Sequence, residues 1–435
     1  MKNIGAKLYK KKSKKILGGN MLLSKNPNMI LPDQWPTYYS KSKGTYLWDL
    51  SHKKFLDMMC YVGQSTLGYN NTFVDNAVRK AIKQGNMTSL NSFEEIQLAE
   101  ELIKIHPWAN KVKFCRSGGE ANALAVRIAR SATNRQNIAI CGYHGWHDWY
   151  LSVNLKNKND LNEHILPGLE PVGVHKNLKN TAFPFKYGDL KQLISLIKKK
   201  NIGIIKMEVA RNSMPNIDFL KKVREISNKN KIILIFDECT SGFRRNLGGL
   251  HMITGIYPDL AMFGKALGNG YAITAVIGKE KIMAKAKKSF ISSTFWTERV
   301  GYAAALSTLK YMKKYKSWKK LITLGKYINK HWMRISKKNQ VPIEITGLES
   351  ITQFNFKSKN NHYLKNFLTQ EMLKKNILAT NLIFLNIYHS KKIIDGYIKE
   401  LDIVFKKIRN IEKNGKKNYF LKGKKSFSSF TRLTD

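Results

Sequence analysis

The chain has 435 residues, of which 43% are hydrophobic and 24% are charged, a balance typical of a globular protein and not of a disordered one. Its 76 lysine and arginine residues against 30 aspartate and glutamate residues give a net charge of +46. Because the cations are mostly lysines spread along the whole chain, we interpret this charge as a compositional bias and expect no specific nucleic-acid partner. A basic nucleic-acid-binding scaffold stays open as the non-enzyme alternative.

The N-terminal segment, residues 1–15, is rich in lysine but is not followed by the apolar stretch of a signal peptide. No run of the chain approaches the ~18 apolar residues that a membrane helix requires, so we expect no membrane partner. The four cysteines lack the spacing of metal ligands; they are Cys60, Cys115, Cys141 and Cys239. These features predict a cytoplasmic protein without a bound metal.

The predicted elements begin with an antiparallel strand pair between about Ser40 and Cys60, where two alternating segments flank a turn at Ser51–His52. From about Tyr61 to Thr308, short apolar strands alternate with amphipathic helices. The strand-like runs are VKFC (112–115), NIAIC (137–141), IGIIKMEV (202–209), KIILIFDE (231–238), DLAMF (259–263) and TAVIG (274–278). This alternation predicts an α/β domain with a mainly parallel sheet covered by helices.

After about Leu309 the pattern changes to helices, then to two strand-like segments at 343–347 and 351–356, and then to helices around 362–376 and 392–411. This order predicts a smaller α+β domain. The expected parts of the chain are an N-terminal segment packed with the small domain (1–60), a large domain (61–310) and a C-terminal small domain (311–435).

The first chemically informative motif is SGGEANALAVRIAR (117–130), in which Ser117, Gly118 and Gly119 follow a strand and open a helix. Backbone N–H groups at the positive end of a helix can bind a phosphate. An ordinary strand-to-helix turn is the alternative, because short glycine turns are common.

The second motif is FDE, which places Asp237 and Glu238 at the carboxyl end of a strongly apolar strand. Ligands of open α/β sheets bind at such ends. A carboxylate beside a pyridine nitrogen keeps that nitrogen protonated, so that the ring can accept electrons. The alternative is an aspartate that caps a helix after the strand.

The third motif is FGKALGNG (263–270), in which Lys265 follows an apolar strand and precedes a glycine-rich segment. A lysine at a strand end inside a cleft can form a Schiff base with a carbonyl compound.

The fourth motif is GYHGWHDWY (142–150), in which Tyr143 and His144 follow another strand. An aromatic ring at this position could cover a planar ligand. His144 and His147 could also be metal ligands, but no carboxylate or cysteine at a suitable spacing supports a metal site.

Taken in this order, the motifs resemble those of the class III, fold type I aminotransferases, which depend on pyridoxal 5′-phosphate (PLP). The resemblance extends from about Gly18 to FTRL (430–433). Within the family, the motifs are most similar to those of glutamate-1-semialdehyde 2,1-aminomutase. The shared segments include GTYLWDL (44–50), NILATN (376–381) and IDGYIKELDIVFKKI (394–408).

The resemblance implies a role for each matching residue. Lys265 would carry the Schiff base and move protons, Asp237 would pair with the pyridinium, and Tyr143 would lie over the ring. Thr294 would reach the phosphate of the neighbouring subunit, which implies a homodimer. The cofactor-binding residues implied in this way are Ser117, Gly118, Gly119, Tyr143, His144, Glu208, Asn212, Asp237, Lys265 and Thr294.

The sequence also departs from the aminomutase pattern near the expected substrate. Where the aminomutases have an arginine for the substrate carboxylate, this chain offers Lys25, which lacks the bidentate guanidinium fork. The family's SGTEA, YHGH and GTLSGNP are here SGGEA, YHGW and SSTFWTE. We therefore expect amino-group transfer between a small-molecule amino donor and a carbonyl acceptor, with a true glutamate-1-semialdehyde 2,1-aminomutase as the alternative.

Overall fold

The computed structural model describes residues 3–164, 168–210, 213–414 and 421–427. The chain divides into two compact units. The central unit spans Thr72–Trp318, and the terminal unit comprises the described residues up to Asn71 and from Lys319 onward. Asn212 and the FTRL segment lie outside the described residues. The domain limits expected from the sequence stay a prediction.

The strands of the described chain are short, as expected for a sheet that helices cover. They are β1 (Tyr39–Lys43), β2 (Tyr46–Asp49), β3 (Lys54–Asp57), β4 (Lys111–Cys115), β5 (Asn137–Cys141), β6 (Ala182–Pro184), β7 (Ile202–Glu208), β8 (Ile233–Asp237), β9 (Leu260–Phe263), β10 (Thr274–Gly278), β11 (Ile343–Leu348), β12 (Ile351–Phe356), β13 (Ile377–Leu378) and β14 (Leu382–Phe384).

The α-helices of the described chain range from a single turn to 24 residues. They are α1 (Ile4–Lys12), α2 (Pro27–Ile30), α3 (Thr72–Lys83), α4 (Phe93–Ile105), α5 (Gly118–Ser131), α6 (Asp148–Leu151), α7 (Leu190–Lys199), α8 (Ile217–Lys229), α9 (His251–Thr254), α10 (Glu280–Met283), α11 (Arg299–Tyr315), α12 (Ser317–Asn339), α13 (Asn361–Lys374) and α14 (Lys391–Asn414).

The central unit is built on a seven-stranded sheet in the order β4-β10-β9-β8-β7-β5-β6. β10 is antiparallel to both of its neighbours, and the other pairings are parallel. The six strands predicted for this region are confirmed, because buried parallel strands appear in a sequence as continuous apolar runs. The three-residue β6 was not predicted, since AFP is too short to give such a run.

The sheet direction places several loops at one edge. Parallel strands end on the same side, so the chain segments that follow β4, β5, β7, β8 and β9 emerge at a common carboxyl edge. The antiparallel β10 begins at this edge, where Thr274 pairs with Cys115. Residues more than a hundred positions apart in the chain are therefore brought together.

Helix α5 packs on the face of the sheet through a stripe of small side chains. Ala121, Ala125 and Ala129 are spaced one turn apart and are all fully buried. They belong to a core cluster with strand residues that include Ile140 and Ile235. Small side chains allow the helix backbone to lie close to the strands, which fixes the position of the turn at the helix start.

The terminal unit contains two small sheets. The predicted hairpin is confirmed as β2 and β3, paired antiparallel with Tyr46 opposite Leu56, and β1 and β13 extend it on either side. β11, β12 and β14 form an antiparallel three-stranded sheet. β13 and β14 were not predicted, because strands of two and three residues carry no periodic pattern. In neither unit does a helix of the described chain combine the length and apolarity needed to cross a bilayer.

Candidate active site

The carboxyl edge of the central sheet gathers most of the predicted site residues. The turn at Ser117 follows β4, Tyr143 follows β5, Glu208 ends β7, Asp237 ends β8, and Lys265 follows β9. Cys239 lies among them, because its N–H donates to Asp237 Oδ1 at 3.1 Å. Its Sγ also lies 3.2 Å from where a Cβ would project at Gly264 and 3.8 Å from the same position at Gly118.

The turn before α5 carries a capping box that leaves two donors open. The Ser117 side chain accepts from the Glu120 N–H, and the Glu120 carboxylate accepts from the N–H groups of Arg116 and Ser117. Within the described residues, the N–H groups of Gly118 and Gly119 have no recorded acceptor. Two open N–H groups at the start of a 14-residue helix form a candidate anion site of the kind that binds phosphates.

Glycine is required at the second of these positions because space is short. A Cβ on Gly119 would lie 2.9 Å from Cε1 of the His147 ring and 3.1 Å from Nε1 of Trp146. The indole and imidazole stack on each other with centroids 4.4 Å apart. The YHGW loop therefore packs directly against the turn, and a side chain at position 119 would collide with these two rings.

Asp237 and His144 form a buried pair next to this turn. His144 Nδ1 lies 2.9 Å from Asp237 Oδ2, and the two side chains are 0% and 4% exposed. Burial raises the pKa of Asp237, but the bond from His144 and the charge of Lys206 outweigh it and lower this pKa to about 2. Burial also lowers the pKa of His144 to about 4. At neutral pH, therefore, an uncharged imidazole donates to an ionised carboxylate.

Among the described residues, one recorded hydrogen bond orients the Lys265 amine. Its Nζ donates to Thr240 Oγ1 at 2.7 Å. Burial lowers the pKa of this amine, and the nearby Arg244 lowers it further, which increases the fraction of the nucleophilic uncharged form. The backbone of Lys265 has φ +43°, a region that non-glycine residues occupy at a cost and that is found most often at functional positions.

Tyr143 and Glu208 flank the His144–Asp237 pair on the side of β5 and β7. The Tyr143 N–H donates to Glu208 Oε2 at 3.1 Å. The Tyr143 ring is half-buried and meets Tyr150 edge-on at a centroid distance of 6.0 Å. Gly142 has φ +111°, and a Cβ there would collide with the Glu208 carboxylate. The glycine thus permits the carboxylate to reach the backbone beside Tyr143.

The sequence analysis missed three residues that the structure places in the site: Arg116, Thr240 and Arg244. Arg116 donates to the carbonyls of Phe295 (2.7 Å), Trp296 (2.9 Å) and Glu298 (2.6 Å) and so anchors the segment that contains Thr294. Arg244 is fully buried and donates to the Thr240 carbonyl. The sequence did contain signals for these residues. Thr240 and Arg244 follow the FDE motif closely, and Arg116 directly precedes SGG.

Two other predicted residues, Thr294 and Lys25, are not among the residues that follow the strand ends at this edge of the sheet. Thr294 is an exposed residue that opens a short turn, Thr294–Thr297. Lys25 is an exposed residue of the terminal unit, where its charge acts on Asp57. Asn212 lies outside the described residues. His144 and His147 belong to no metal-binding group, since the described residues contain no cluster of three or more histidine, cysteine or acidic side chains suited to a metal.

The comparison with protein families gives one match. The model described as aminotransferase class-III matches residues 32–386. Among curated relatives, the chain is 30% identical to the 3-aminobutyryl-CoA aminotransferase of Cloacimonas acidaminovorans, over 89% of this chain and 90% of that protein. It is 29% identical to the glutamate-1-semialdehyde 2,1-aminomutase of Wigglesworthia glossinidia brevipalpis, over 94% and 99% of the two chains.

Solved structures of similar fold are transaminases. The PLP internal aldimine form of the FumI protein from Sphingopyxis sp. MTA144 has a TM-score of 0.84 at 22% identity, covering 94% of this chain and 98% of that one. An omega-transaminase from Sphaerobacter thermophilus has a TM-score of 0.83 at 21% identity, covering 93% and 98%. These likenesses confirm the predicted fold type I architecture.

The buried His144 generates a prediction for stability against pH. Its pKa is about 4 in the folded chain and near 6.5 when unfolded. The unfolded chain therefore binds the extra proton in this window, and the free energy of unfolding falls as the pH drops from 6.5 towards 4. His144→Gln should reduce this slope by up to about 1.4 kcal/mol per pH unit. Urea unfolding at several pH values between 4.5 and 7.5 measures it. The exposed His175→Gln is the matched control, and equal slopes in both variants would contradict the prediction.

Proposed function

The chain belongs to the class III aminotransferase family, and on that premise we propose that it transfers an amino group from a small-molecule donor to a carbonyl acceptor with Lys265 as its catalytic lysine. PLP is the cofactor of this chemistry. One observation carries the assignment of residues: the open N–H groups of Gly118 and Gly119, the ionised Asp237 and the Lys265 amine meet at one edge of the sheet.

The residues present fit PLP in three chemical respects. The open N–H groups before α5 suit its phosphate. The buried carboxylate of Asp237 suits a protonated ring nitrogen, and the lysine amine suits its aldehyde carbon. When bound, PLP supplies an electron sink for the carbon that loses a proton. The protein supplies the binding groups, the charges and the proton carrier.

Asp237 acts as the partner of the ring nitrogen. Its Oδ2 accepts from His144 and its Oδ1 accepts from the Cys239 N–H, so the carboxylate cannot rotate freely. Because its pKa is about 2, the carboxylate is ionised at neutral pH and would keep a proton on the ring nitrogen of bound PLP.

Lys265 acts as both nucleophile and proton carrier. Thr240 orients the Nζ, and burial lowers the pKa of the amine, which favours the uncharged form that can accept a proton and return it. Tyr143 is proposed to cover one side of the ring, with Ser117, His144, Glu208 and Asn212 completing the cofactor site.

The nature of the substrates is proposed from the departures in sequence. We favour a transaminase that uses separate donor and acceptor, because Lys25 replaces the arginine of the aminomutases and offers a point charge without a fork. The relatives do not agree on one substrate class: one is named for 3-aminobutyryl-CoA, whose carboxyl group is a thioester, and another for glutamate-1-semialdehyde, which has a free carboxylate. The true aminomutase is the second candidate, and the cytoplasm is the proposed location.

We propose that the enzyme is a homodimer whose partner supplies Thr294. Large apolar side chains are exposed on the same part of the central unit: Leu90 (83%), Phe93 (65%) and Phe295 (67%). Glu94 pairs with Arg299, so α4 lies beside the Thr294 segment. An exposed apolar patch of this kind is typical of an obligate interface, and a two-fold axis would build two equivalent sites at once.

Replacing the lysine tests the catalytic assignment. Lys265→Ala should still fold and bind PLP weakly, but turnover should fall by roughly 10² to 10⁴, because the proton carrier is gone. Borohydride reduction followed by peptide mapping of the wild-type protein should label Lys265. The exposed Lys281→Ala is the control and should keep full activity. A label on any other lysine would reject the assignment.

Replacing the aspartate tests the charge at the ring nitrogen. Asp237→Asn preserves the shape but removes the negative charge, so PLP should stay bound while kcat drops by more than about tenfold. Steady-state kinetics of this variant and of the exposed control Asp218→Asn give the comparison. Near-normal turnover in Asp237→Asn would show that the carboxylate has no such role.

Mixing two inactive variants tests the shared site. Thr294→Ala chains and Lys265→Ala chains, each inactive alone, should regain part of the activity after mixing, because one of the two hybrid sites then has both intact residues. Sedimentation should give a mass near twice the 50.0 kDa of the chain. A monomer with full activity would exclude the dimer proposal.

A further inference from the structure

A second lysine of the central unit, Lys206, occupies an unusual position. It lies in the middle of β7, in an otherwise apolar run, and is 0% exposed. Lysine is almost never fully buried without a partner, because removing an ammonium from water is costly. The proposed mechanism does not use this residue.

The hydrogen bonding of Lys206 does not explain its burial. Its Nζ donates to the thioether Sδ of Met262 at 3.2 Å, which is its one recorded hydrogen bond within the described chain. A thioether is a weak acceptor and carries no charge. Methionine or leucine would fill this space without the desolvation cost of a lysine, so packing alone does not account for the residue.

The strand register places Lys206 on the face of the sheet that carries the ionised pair. Side chains alternate along a strand, so Lys206 and Glu208 share a face of β7. Glu208 pairs with Asp237 of β8, and Asp237 pairs with Met262 of β9, the residue that Nζ contacts. The lysine therefore lies behind the carboxylates of Glu208 and Asp237, two residues further from the carboxyl edge along β7.

The groups that face Lys206 are acidic or can accept a proton. Burial lowers the pKa of Lys206, whereas Asp237, Cys239 and Glu208 raise it. In return, the lysine lowers the pKa of Asp237 and also that of His144, with His164 acting on His144 in the same direction. The Nε2 atom of His144 is buried and has no partner within the described residues.

We propose that Lys206 keeps its proton and is a positioning residue, whose buried charge holds the His144–Asp237 pair as uncharged imidazole and ionised carboxylate. A positive charge behind the pair makes a second proton on His144 costly and stabilises the carboxylate of Asp237. The pair then holds its full negative charge towards the cofactor ring down to acidic pH. This inference rests on the proposed function through the role of Asp237.

The expected effect of removing the charge has a definite sign. Without Lys206, the pKa values of Asp237 and His144 both rise, so the pair takes up a proton at higher pH. Protonation cancels the charge that pairs with the ring nitrogen, and PLP affinity falls as the pH drops through the raised pKa. The free energy of unfolding should stay the same or rise in Lys206→Met, because methionine fills the same space without the desolvation cost of an ammonium.

The first experiment compares Lys206→Met with Met262→Leu. PLP affinity is measured by fluorescence titration of the apoprotein between pH 3.5 and 8.5, and the melting temperature is measured beside it. For Lys206→Met we expect the acid-side loss of affinity to move up by about one pH unit or more, with an unchanged or higher melting temperature. Met262→Leu alters the same contact without a charge change and should keep the wild-type pH profile.

The second experiment needs no change at Lys206. Nitrogen-15 spectra of histidine-labelled apoprotein report the protonation of each ring, and His144→Asn assigns the His144 signals. In the wild-type protein we expect a protonated Nδ1 and an unprotonated Nε2 down to about pH 5, the state implied by a pKa near 4. A His144 ring that is fully protonated at pH 6 would overturn the proposal even if Lys206→Met failed to fold.

The outcomes separate this inference from the proposed function. If the wild-type protein does not bind PLP at any pH, the proposed function fails. If it binds PLP and Lys206→Met has the wild-type pH profile, the function stands and the role of Lys206 is rejected. If the pH profile of Met262→Leu shifts as much as that of Lys206→Met, the effect is due to packing and not to charge. If Lys206→Met has a lower melting temperature and no pH shift, Lys206 only stabilises the fold.

Discussion

The parallel direction of the strands in the central sheet is the constraint on which the site depends. β4, β5, β7, β8 and β9 all end at one edge, so each delivers one functional segment to the same place. No single element carries the chemistry. The packing of α5 through small side chains fixes the anion turn, and Cys239 connects this turn with Asp237 and with the segment of Lys265.

Burial of charge governs how these residues behave. Water is excluded from the end of β8, so the ionised Asp237 is stable only because His144 donates to it and cations lie nearby. The same burial lowers the pKa of Lys265 and makes it a better nucleophile. Glu238, the residue after Asp237, faces the opposite side of the sheet. Its Oε1 lies 2.8 Å from Nδ1 of His251, in a hydrogen-bonded network separate from the site. Two adjacent acids thus take different roles because alternate residues face opposite sides of the strand.

The strong positive charge of the chain has little part in this arrangement. The basic groups that matter are few: Lys206 and Arg244 are buried and Lys265 is partly buried, whereas the large excess of lysines is distributed along the sequence. Exposed lysines interact weakly through water, since screening limits their effect to short range. A charge in the dry interior acts on its neighbours more strongly than many lysines on the surface, because water does not screen it.

The sequence by itself determined the class of fold and the main strands along the chain, and it predicted the main site residues. Continuous apolar runs such as NIAIC and TAVIG can be accommodated only as buried strands, and SGG, FDE and FGK stand at strand ends where ligands bind. The tertiary structure decided the rest. The partners of these residues, Thr240 for Lys265 and Arg116 for the Thr294 segment, are set by which loops meet at the sheet edge. The neighbours of Lys206 could not be predicted from the sequence for the same reason, because they depend on how β7, β8 and β9 pair.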